Sequence, residues 1–555
     1  MASYIADLHC HPSFKPYNNL IKNQQVDLWQ PILEEPELFE RIPKPLQPMI
    51  VETARSSQSN LNELFEGNVR SLFFVIHPME RGWLVRRHKS PHPIRHELLK
   101  KILKSRHIPD IAAGLSGVAS AKINDMIQKV KNDDPINYYL DETFPEYEFI
   151  VQNQQIAGAQ GARLKIVSNF NEYIDVVKNR EKTIAGILTI EGGHALMQLP
   201  KHSLIQKEYH ELAPEDQDFI RRKYMLNIDK IKGVNTSKGF DKRHTPFFIS
   251  LVHMYNNFLA GHAKSYKEGT GLFPGMDDFL DQEAAMYDGI SPLGFNVIER
   301  LLKRTPNERR ILIDVKHMSL ASRKAYYKII EGKRQQNDPI PIIFSHGGVN
   351  GFNNGRFRGA DFNADDTHGY VSHWSINLYN EDIQAIFDSD GLIGLAPHEG
   401  RMPGGEAIAM FKEIKRAINW NDHRKAQYEM FLRQEYVRLF VTNLLHIVST
   451  INKRKAWDHI CIGSDYDGIM NPFNSYPLSS NLMRLLGDIK SFLDKPSEVV
   501  AYNNDSRFAF SPSDIHDLKF NLNSRTIIKK IGFGNVDKFL EKYFTPGYLG
   551  GQGMA

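Results

Sequence analysis

The chain has 555 residues, of which 41% are hydrophobic and two are cysteine. A barrel with insertions can absorb this length as one unit, the apolar content supports a large core, and two cysteines exclude a disulfide framework. The formal net charge of +4 is close to balanced. The sequence also has no basic stripe interleaved with aromatic residues, so a nucleic-acid partner is not expected.

The first predicted strand ends in a pair of histidines. The apolar run at residues 4–6 leads into residues 7–11, and Pro12 ends the strand. Side chains at positions i and i+2 of a strand point to the same face, so His9 and His11 project together. Two adjacent imidazoles provide half of a metal site, although such a pair, taken alone, more often arises by chance.

Three more apolar strands are predicted in the first half of the chain. The second, residues 71–78, is continuously apolar, as is typical of a strand buried on both faces. The third, residues 184–190, ends in Glu191, and the fourth, residues 247–252, ends in His253. The same arrangement therefore recurs, in which a potential metal ligand follows an apolar strand.

Four further strands complete the pattern. Ser291 is predicted to cap the helix before the fifth strand, with Pro292 at the first helical position, and Ser319 to cap the helix after it. The strands are residues 310–316, followed by His317; 341–345, followed by His346; 392–397; and 460–464, followed by Asp465.

Eight apolar strands separated by helical segments predict an α/β fold, the (β/α)8 TIM barrel, with long inserted helical excursions. We predict a single domain over residues 1–555. Insertions are expected at about residues 79–150, 197–245 and 400–456, and a C-terminal extension at about residues 475–555. The active site of this fold lies at the C-terminal ends of the strands, where the potential ligands stand.

The residues at the strand ends predict a binuclear metal site. Four histidines and a bridging carboxylate would hold two divalent ions about 3.5 Å apart. Zinc suits these ligands, with manganese, cobalt or iron as alternatives. Each residue taken singly could instead hydrogen-bond a loop or cap a helix, but their joint occurrence favours a site. The seven residues are His9, His11, Glu191, His253, His317, His346 and Asp465.

Four neighbouring residues are predicted to be structural. Lys316 alternates with His317 along the fifth strand, so its side chain is expected to point outward from the barrel. Packing or supporting roles are expected for His77, His194 and Cys10.

Four motifs resemble those of the membrane (renal) dipeptidases, peptidase family M19, which are binuclear zinc peptidases of the amidohydrolase superfamily. The motifs occur in the family's order, and the resemblance covers the barrel but not the three insertions. They are Glu-Gly-Gly-His-Ala-Leu at residues 191–196, Leu-Ile-Asp-Val-Lys-His-Met-Ser at 312–319, Ile-Phe-Ser-His at 343–346 and Ile-Gly-Ser-Asp-Tyr-Asp-Gly at 462–468.

The resemblance implies a specific set of metal ligands. Glu191 would bridge the two ions and so take part in catalysis. One ion would be held by His9 and His11, and the other by His317 and His346.

The resemblance also implies how the reaction would proceed. A hydroxide between the metals would attack the scissile carbonyl, since coordination lowers the pKa of water to about 7. Asp465 would position this water and pass its proton to the leaving amine, as general base and then acid. His253 would bind the substrate and donate a hydrogen bond to the oxyanion of the tetrahedral intermediate.

Two positions depart from the family pattern. The first strand carries His-x-His where the family has His-x-Asp, which removes one negative charge from the first ion. An arginine that binds the free carboxylate of the substrate in the family is replaced by Ile376 when the chain is aligned on residues 377–382. Arg356 and Arg358 in the preceding loop could take its place, because arginine suits bidentate carboxylate binding.

These observations favour a metal-dependent hydrolase of the dipeptidase type that cleaves a small peptide or amide bond. An alternative keeps the metal centre but acts on a cyclic amide, an N-acyl amino acid, a lactone or an ester, and the missing arginine favours it. A third, less favoured alternative is a non-catalytic barrel that serves as a binding module; the unusual insertions favour it slightly, whereas the retained ligands argue against it.

The expected location is the cytoplasm. The first strand begins almost at Met1, which leaves no room for a signal peptide. No run approaches the roughly 20 apolar residues that a bilayer span needs, and the low cysteine content fits a reducing compartment. We expect a small-molecule substrate and no membrane partner, and the resemblance implies a homodimer.

Overall fold

The strands in the described part of the chain form one closed parallel barrel and a small separate pair. The computed structural model describes residues 3–20, 26–32, 40, 57–84, 108–265, 280–352, 369–420, 422–496 and 510–552. The strands within these ranges are β1 (Ile5–Cys10), β2 (Val69–Ile76), β3 (Ile136–Asn137), β4 (Arg163–Ile166), β5 (Thr183–Ile190), β6 (Gln198–Leu199), β7 (Phe248–Ser250), β8 (Leu312–Asp314), β9 (Ile343–Phe344), β10 (Leu392–Leu395) and β11 (Ile460–Ile462).

Eight of these strands close the barrel in the order β1-β2-β5-β7-β8-β9-β10-β11, with β11 pairing back to β1. All of these pairings are parallel, and the closing pair aligns Asp7 with Ile462. The short strand β4 pairs with the beginning of β5, and β3 pairs with β6 in an antiparallel ribbon. The eight barrel strands coincide with the eight predicted from the sequence, so the (β/α)8 TIM barrel is confirmed.

The barrel strands are buried along their length. Every residue of β1 and of β2 is buried, and so is every residue of β5 after Thr183. Parallel strands covered by helices on the outside and by side chains on the inside are expected to be apolar throughout, which is why they are visible in the sequence.

Helices connect the strands and cover the barrel, and the two predicted serine N-caps are confirmed. Ser291 Oγ accepts a hydrogen bond from the amide of Gly294, and Ser319 Oγ accepts one from the amide of Ser322. The α-helices within the described ranges are α1 (Phe14–Asn18), α2 (Leu61–Glu66), α3 (Ile108–Ser116), α4 (Ser120–Lys131), α5 (Phe144–Asn153), α6 (Phe170–Asn179), α7 (Pro214–Ile231), α8 (Pro292–Leu302), α9 (Leu320–Gln335), α10 (Asn380–Asp388), α11 (Gly405–Trp420), α12 (Lys425–Ile451), α13 (Leu482–Asp494), α14 (Pro512–Leu518), α15 (Ser524–Lys529), α16 (Asn535–Tyr543) and α17 (Pro546–Leu549).

The segments predicted as insertions contain several of these helices. Helices α3, α4 and α5 lie in the first segment, α7 in the second, and α11 and α12 in the third. The largest hydrophobic core contains residues from β1 to Leu549 of α17, so the C-terminal helices pack on the same core as the barrel. The division into one domain with these boundaries stays a prediction. Among the described residues, no helix is long and apolar enough to cross a membrane.

Candidate metal centre

Glu191 lies at the centre of a ring of histidines at the C-terminal mouth of the barrel. Its Oε1 is 3.2 Å from Nε2 of His317, 3.4 Å from Nε2 of His9 and 3.6 Å from Nε2 of His346. Its Oε2 is 3.3 Å from Nε2 of His11. The two oxygens of one carboxylate therefore face the imidazoles of three different strand ends.

Asp465 faces the same ring from the end of β11. Its Oδ1 is 3.3 Å from Nε2 of His11 and 3.8 Å from Nε2 of His9, and its Oδ2 is 3.8 Å from Nε2 of His346. Three of these residues at a time can bring one ligand atom each to a common point, with the three atoms all within 4.8 Å of one another. Such sets are His9, His11 and Glu191; Glu191, His317 and His346; and His9, His346 and Asp465.

The cluster is almost completely shielded from solvent, and burial and nearby charges shift the pKa values of its members. Burial raises the pKa of Glu191, but the nearby charges of His253 and His9 and hydrogen bonds outweigh it and hold that pKa well below its usual range. Burial lowers the pKa of His317 and of His346 well below the usual range of an imidazole. Neutral imidazoles and an ionised carboxylate are the protonation states that ligate a metal.

The backbone turns sharply at the positions that present these side chains. His317 has φ +66° and Asp465 has φ +60°, so both leave the extended conformation at the strand end. Gly192, next to Glu191, has φ +88°, and a Cβ there would lie 2.3 Å from the ring of His194. Glycine tolerates this conformation and close approach without a steric cost.

A buried aspartate network orients one of the histidines. Ser345 Oγ donates to Asp314 Oδ2 at 2.7 Å and therefore accepts from Nδ1 of His346 at 2.9 Å. This places the proton of His346 on Nδ1 and leaves the lone pair of Nε2 facing Glu191, the arrangement typical of metal-binding histidines. In the described part of the chain, Nδ1 of His9, His11 and His317 has no hydrogen-bond partner.

His253 is held by Glu80, a residue that the sequence analysis missed. Glu80 Oε2 is 2.5 Å from Nδ1 of His253, and the Glu80 carboxylate also accepts the amides of Met254 and Tyr255. Burial lowers the pKa of His253, but the carboxylates of Glu80 and Glu191 outweigh it and raise that pKa overall. The only sequence signal for Glu80 is an acidic residue shortly after the second strand.

His77 and His194 lie beside the cluster, and their supporting role stays a prediction. Nδ1 of His77 is 3.1 Å from the backbone oxygen of Glu191, to which it can donate, and 3.5 Å from Glu191 Oε2. His77, Glu191 and His253 form a further group with converging ligand atoms. Nε2 of His194 is 2.9 Å from the carbonyl of Pro78.

Lys316, whose side chain is predicted to point outward from the barrel, is buried, and its direction stays a prediction. Lys316 is only 1% exposed, and its amide donates to Asp314 Oδ1. Strand β8 ends at Asp314, and the positive φ of His317 breaks the alternation on which the prediction relied. Burial, followed by the charge of Arg401, lowers the pKa of Lys316 to about 7.

The predicted carboxylate-binding arginines, Arg356 and Arg358, lie outside the described residues. Ile376, which aligns with the arginine of the dipeptidases, is fully buried and packs with Trp374 and Ala263. The substrate-binding role of the two arginines stays a prediction.

The fold and the site together define a class: a (β/α)8 barrel with a buried cluster of histidines and carboxylates at its mouth that could hold metal ions. No family model and no curated protein matches the chain. Solved structures do match it, at low sequence identity.

Three of these solved structures are metallopeptidases or dipeptidases by their descriptions. A dipeptidase of family M19 is 12% identical, with 90% of this chain and 94% of that chain covered and a TM-score of 0.40. A metallopeptidase from Rhodobacter sphaeroides, bound to a phosphinate mimic of the dipeptide L-Ala-D-Ala, is 11% identical, with 98% and 99% covered and a TM-score of 0.43. The probable dipeptidase PvdM from Pseudomonas aeruginosa is 12% identical, with 90% of each chain covered and a TM-score of 0.40.

An amidohydrolase from Pseudomonas aeruginosa also matches, at 10% identity, with 98% of this chain and 96% of that chain covered and a TM-score of 0.36. The description of the first of these structures names family M19, the family that the sequence motifs resemble.

Proposed function

We propose that this protein is a metal-dependent hydrolase of the dipeptidase type, which cleaves a small peptide or amide bond. The observation that carries the proposal is the position of Glu191. Its carboxylate oxygens lie within 3.2–3.6 Å of Nε2 of four histidines, His9, His11, His317 and His346. One carboxylate in this position can bridge two metal ions.

The donor set fits two divalent ions. His9 and His11 would hold one ion, His317 and His346 the other, and Glu191 would bridge them. Imidazole nitrogen and carboxylate oxygen suit zinc. Bound ions of this kind supply Lewis-acid activation of water and of a carbonyl group.

Asp465 is the proposed general base and acid. Its carboxylate touches histidines of both proposed ion sites, and the residue keeps 8% of its surface exposed, more than Glu191 with 2%. A carboxylate in contact with both ion sites and with solvent can take a proton from the nucleophilic water and deliver it to the leaving amine.

His253 is proposed to stabilise negative charge on the substrate. Its Nδ1 is engaged by Glu80, so its Nε2 is the atom that faces the cluster, 3.8 Å from Glu191 Oε2. The raised pKa of His253 favours the protonated ring, in which Nε2 carries a hydrogen that can be donated to a developing oxyanion.

A second candidate function keeps this centre and changes the substrate to a cyclic amide, an N-acyl amino acid, a lactone or an ester. The burial of Ile376 at the aligned arginine position favours it, since that position offers no charge to a free carboxylate.

Metal-loaded protein assayed with dipeptides, N-acyl amino acids, a lactone and an ester would test the proposal. Hydrolysis of dipeptides that a chelator abolishes and added zinc restores would support it. Hydrolysis of only the other substrates would favour the second candidate. His317→Ala should abolish the activity, whereas His516→Ala, a change at an exposed histidine of α14, should leave it unchanged.

A further inference from the structure

Glu146 is a buried carboxylate of the first insertion that contacts two strand ends at the mouth of the barrel. It lies in helix α5 and is 0% exposed. Ser13 Oγ donates to its Oε1 at 2.6 Å, and the amide of His77 donates to its Oε2 at 3.0 Å. The two oxygens of this carboxylate therefore hold two different segments, Ser13 after β1 and His77 after β2.

The contact with Ser13 acts on the turn that presents His11. Ser13 is two residues after His11, and within this turn the amide of Phe14 donates to the carbonyl of His11 at 3.2 Å. His11 and Ser13 are both buried. A buried hydroxyl group that loses its acceptor costs free energy, so the hydrogen bond to Glu146 opposes a shift of the turn and of the imidazole that it carries.

The contact with His77 acts on Glu191 through a single peptide group. The amide of His77 donates to Glu146, and the carbonyl of Ile76, on the other side of the same peptide bond, accepts the amide of Glu191 at 3.0 Å. Nδ1 of His77 also lies 3.1 Å from the carbonyl oxygen of Glu191. A continuous chain of hydrogen bonds therefore joins Glu146 to the backbone on both sides of the Glu191 side chain.

Neighbouring residues of the same insertion contact two of the loops at the mouth. Thr143 Oγ1 donates to the carbonyl of Ala195, in the loop after β5, at 2.8 Å. The hydroxyl of Tyr138 accepts the amide of Arg81, in the segment after β2, at 2.6 Å. Residues 138–146 therefore reach the segments after β1, β2 and β5, which are the segments that follow or carry proposed metal ligands and their neighbours.

We propose that Glu146 is a positioning residue for the candidate metal centre, and that the first insertion holds the His11 turn and the Glu191 backbone in the arrangement that binds metal. This inference rests on the metal ligands of the proposed function and adds a residue that fixes their geometry. Removal of outer groups that orient metal ligands typically weakens metal binding by about 10- to 100-fold.

The zinc affinity of the metal-free protein, measured by competition with a chelating dye, tests the inference without requiring turnover. Glu146→Leu is similar in size but removes both acceptors, and it should weaken zinc binding by about tenfold or more. Glu146→Gln should stay within about threefold of the wild type, because its amide oxygen can accept from His77 and its amide nitrogen can donate to Ser13. Asn153→Leu, the matched control, removes the buried acceptor of the Leu28 amide at the other end of α5. It should lower the melting temperature and leave the zinc affinity unchanged.

The melting temperature of each metal-free variant separates a lost fold from a lost geometry. Ser13→Ala removes one of the two hydrogen bonds, should weaken zinc binding by about threefold or more, and decides the question where Glu146→Leu does not fold. Wild-type zinc affinity in the deciding variant would overturn the inference, and so would an equal loss of affinity in Asn153→Leu. Hydrolysis is scored separately: zinc binding that depends on Glu146 in a protein that cleaves none of the substrates would contradict the proposed function and leave the positioning role standing.

Discussion

The carboxylate of Glu80 lies 2.5 Å from Nδ1 of His253 and so determines which nitrogen of this imidazole faces the candidate metal centre. Glu80 follows β2 and His253 follows β7, the two barrel strands on either side of β5. Burial raises the pKa of Glu80, but the charges of His253 and His194 outweigh it and lower that pKa overall. Both shifts favour a carboxylate next to a protonated imidazole.

Glu80→Gln should lower kcat by about tenfold with little change in KM, because the amide keeps the hydrogen bond to His253 but removes the charge that favours its protonated form. Without that charge the pKa of His253 falls, so the decline of kcat on the alkaline side should begin at a lower pH. A pH–rate profile of both proteins measures this. Glu215→Gln, at an exposed position of α7, serves as the control, and an unshifted profile in Glu80→Gln would remove the positioning role.

Asp465→Asn should keep the fold and the bound metal but lower turnover by about 10²- to 10⁴-fold, since an amide cannot accept and deliver the proton. Steady-state kinetics together with metal analysis measure the two effects. Asp125→Asn, at an exposed residue of α4, is the matched control. Near-normal turnover in Asp465→Asn would rule out proton transfer by this residue.

Glu191→Gln should reduce the number of bound ions from two to one or fewer, because the neutral amide can neither bridge two cations nor offset their charge. Elemental analysis of the variant after dialysis against zinc measures the stoichiometry. Glu215→Gln should bind as many ions as the wild type. Two ions retained by Glu191→Gln would exclude Glu191 as the bridge.

Gly463→Ala should destabilise the barrel by about 1–3 kcal/mol, because a Cβ there would lie 1.9 Å from the backbone oxygen of Ser345, inside a closely packed wall. Gly487→Ala is the matched control, since a Cβ at this position of α13 meets nothing within 4 Å and should stabilise the helix by about 0.5–1 kcal/mol. Urea denaturation of both variants compares the free energies of unfolding. Equal stability of the two variants would contradict the packing seen here.

The eight barrel strands could be predicted because parallel strands buried on both faces appear as continuous apolar runs. The residues that come together at the mouth could be predicted for a related reason. The fold brings strand ends to one place, so a histidine or carboxylate directly after an apolar run has a predictable position. His9, Glu191 and His346 were found in this way, and the structure brings them together.

Two residues whose positions the sequence pattern does not determine lie just beyond the strand ends, where the period of two no longer applies. Alternation assigns Lys316 to the outside, although β8 has already ended at Asp314 and His317 has a positive φ. Glu80 lies four residues after the end of β2 and just before the 3-10 helix Arg81–Leu84, where no periodicity relates it to His253. Contacts of this kind depend on loop geometry, which a single sequence does not encode in a repeating pattern.

The metal content of the purified protein, measured by elemental analysis after reconstitution with zinc and after removal of free metal, tests the central claim most directly. The position of Glu191 between two pairs of histidines predicts about two ions per chain, together with hydrolysis of a small amide that a chelator abolishes. A chain that binds no metal even after reconstitution would contradict the account. The buried histidines would then be structural, and the barrel would serve as a binding module.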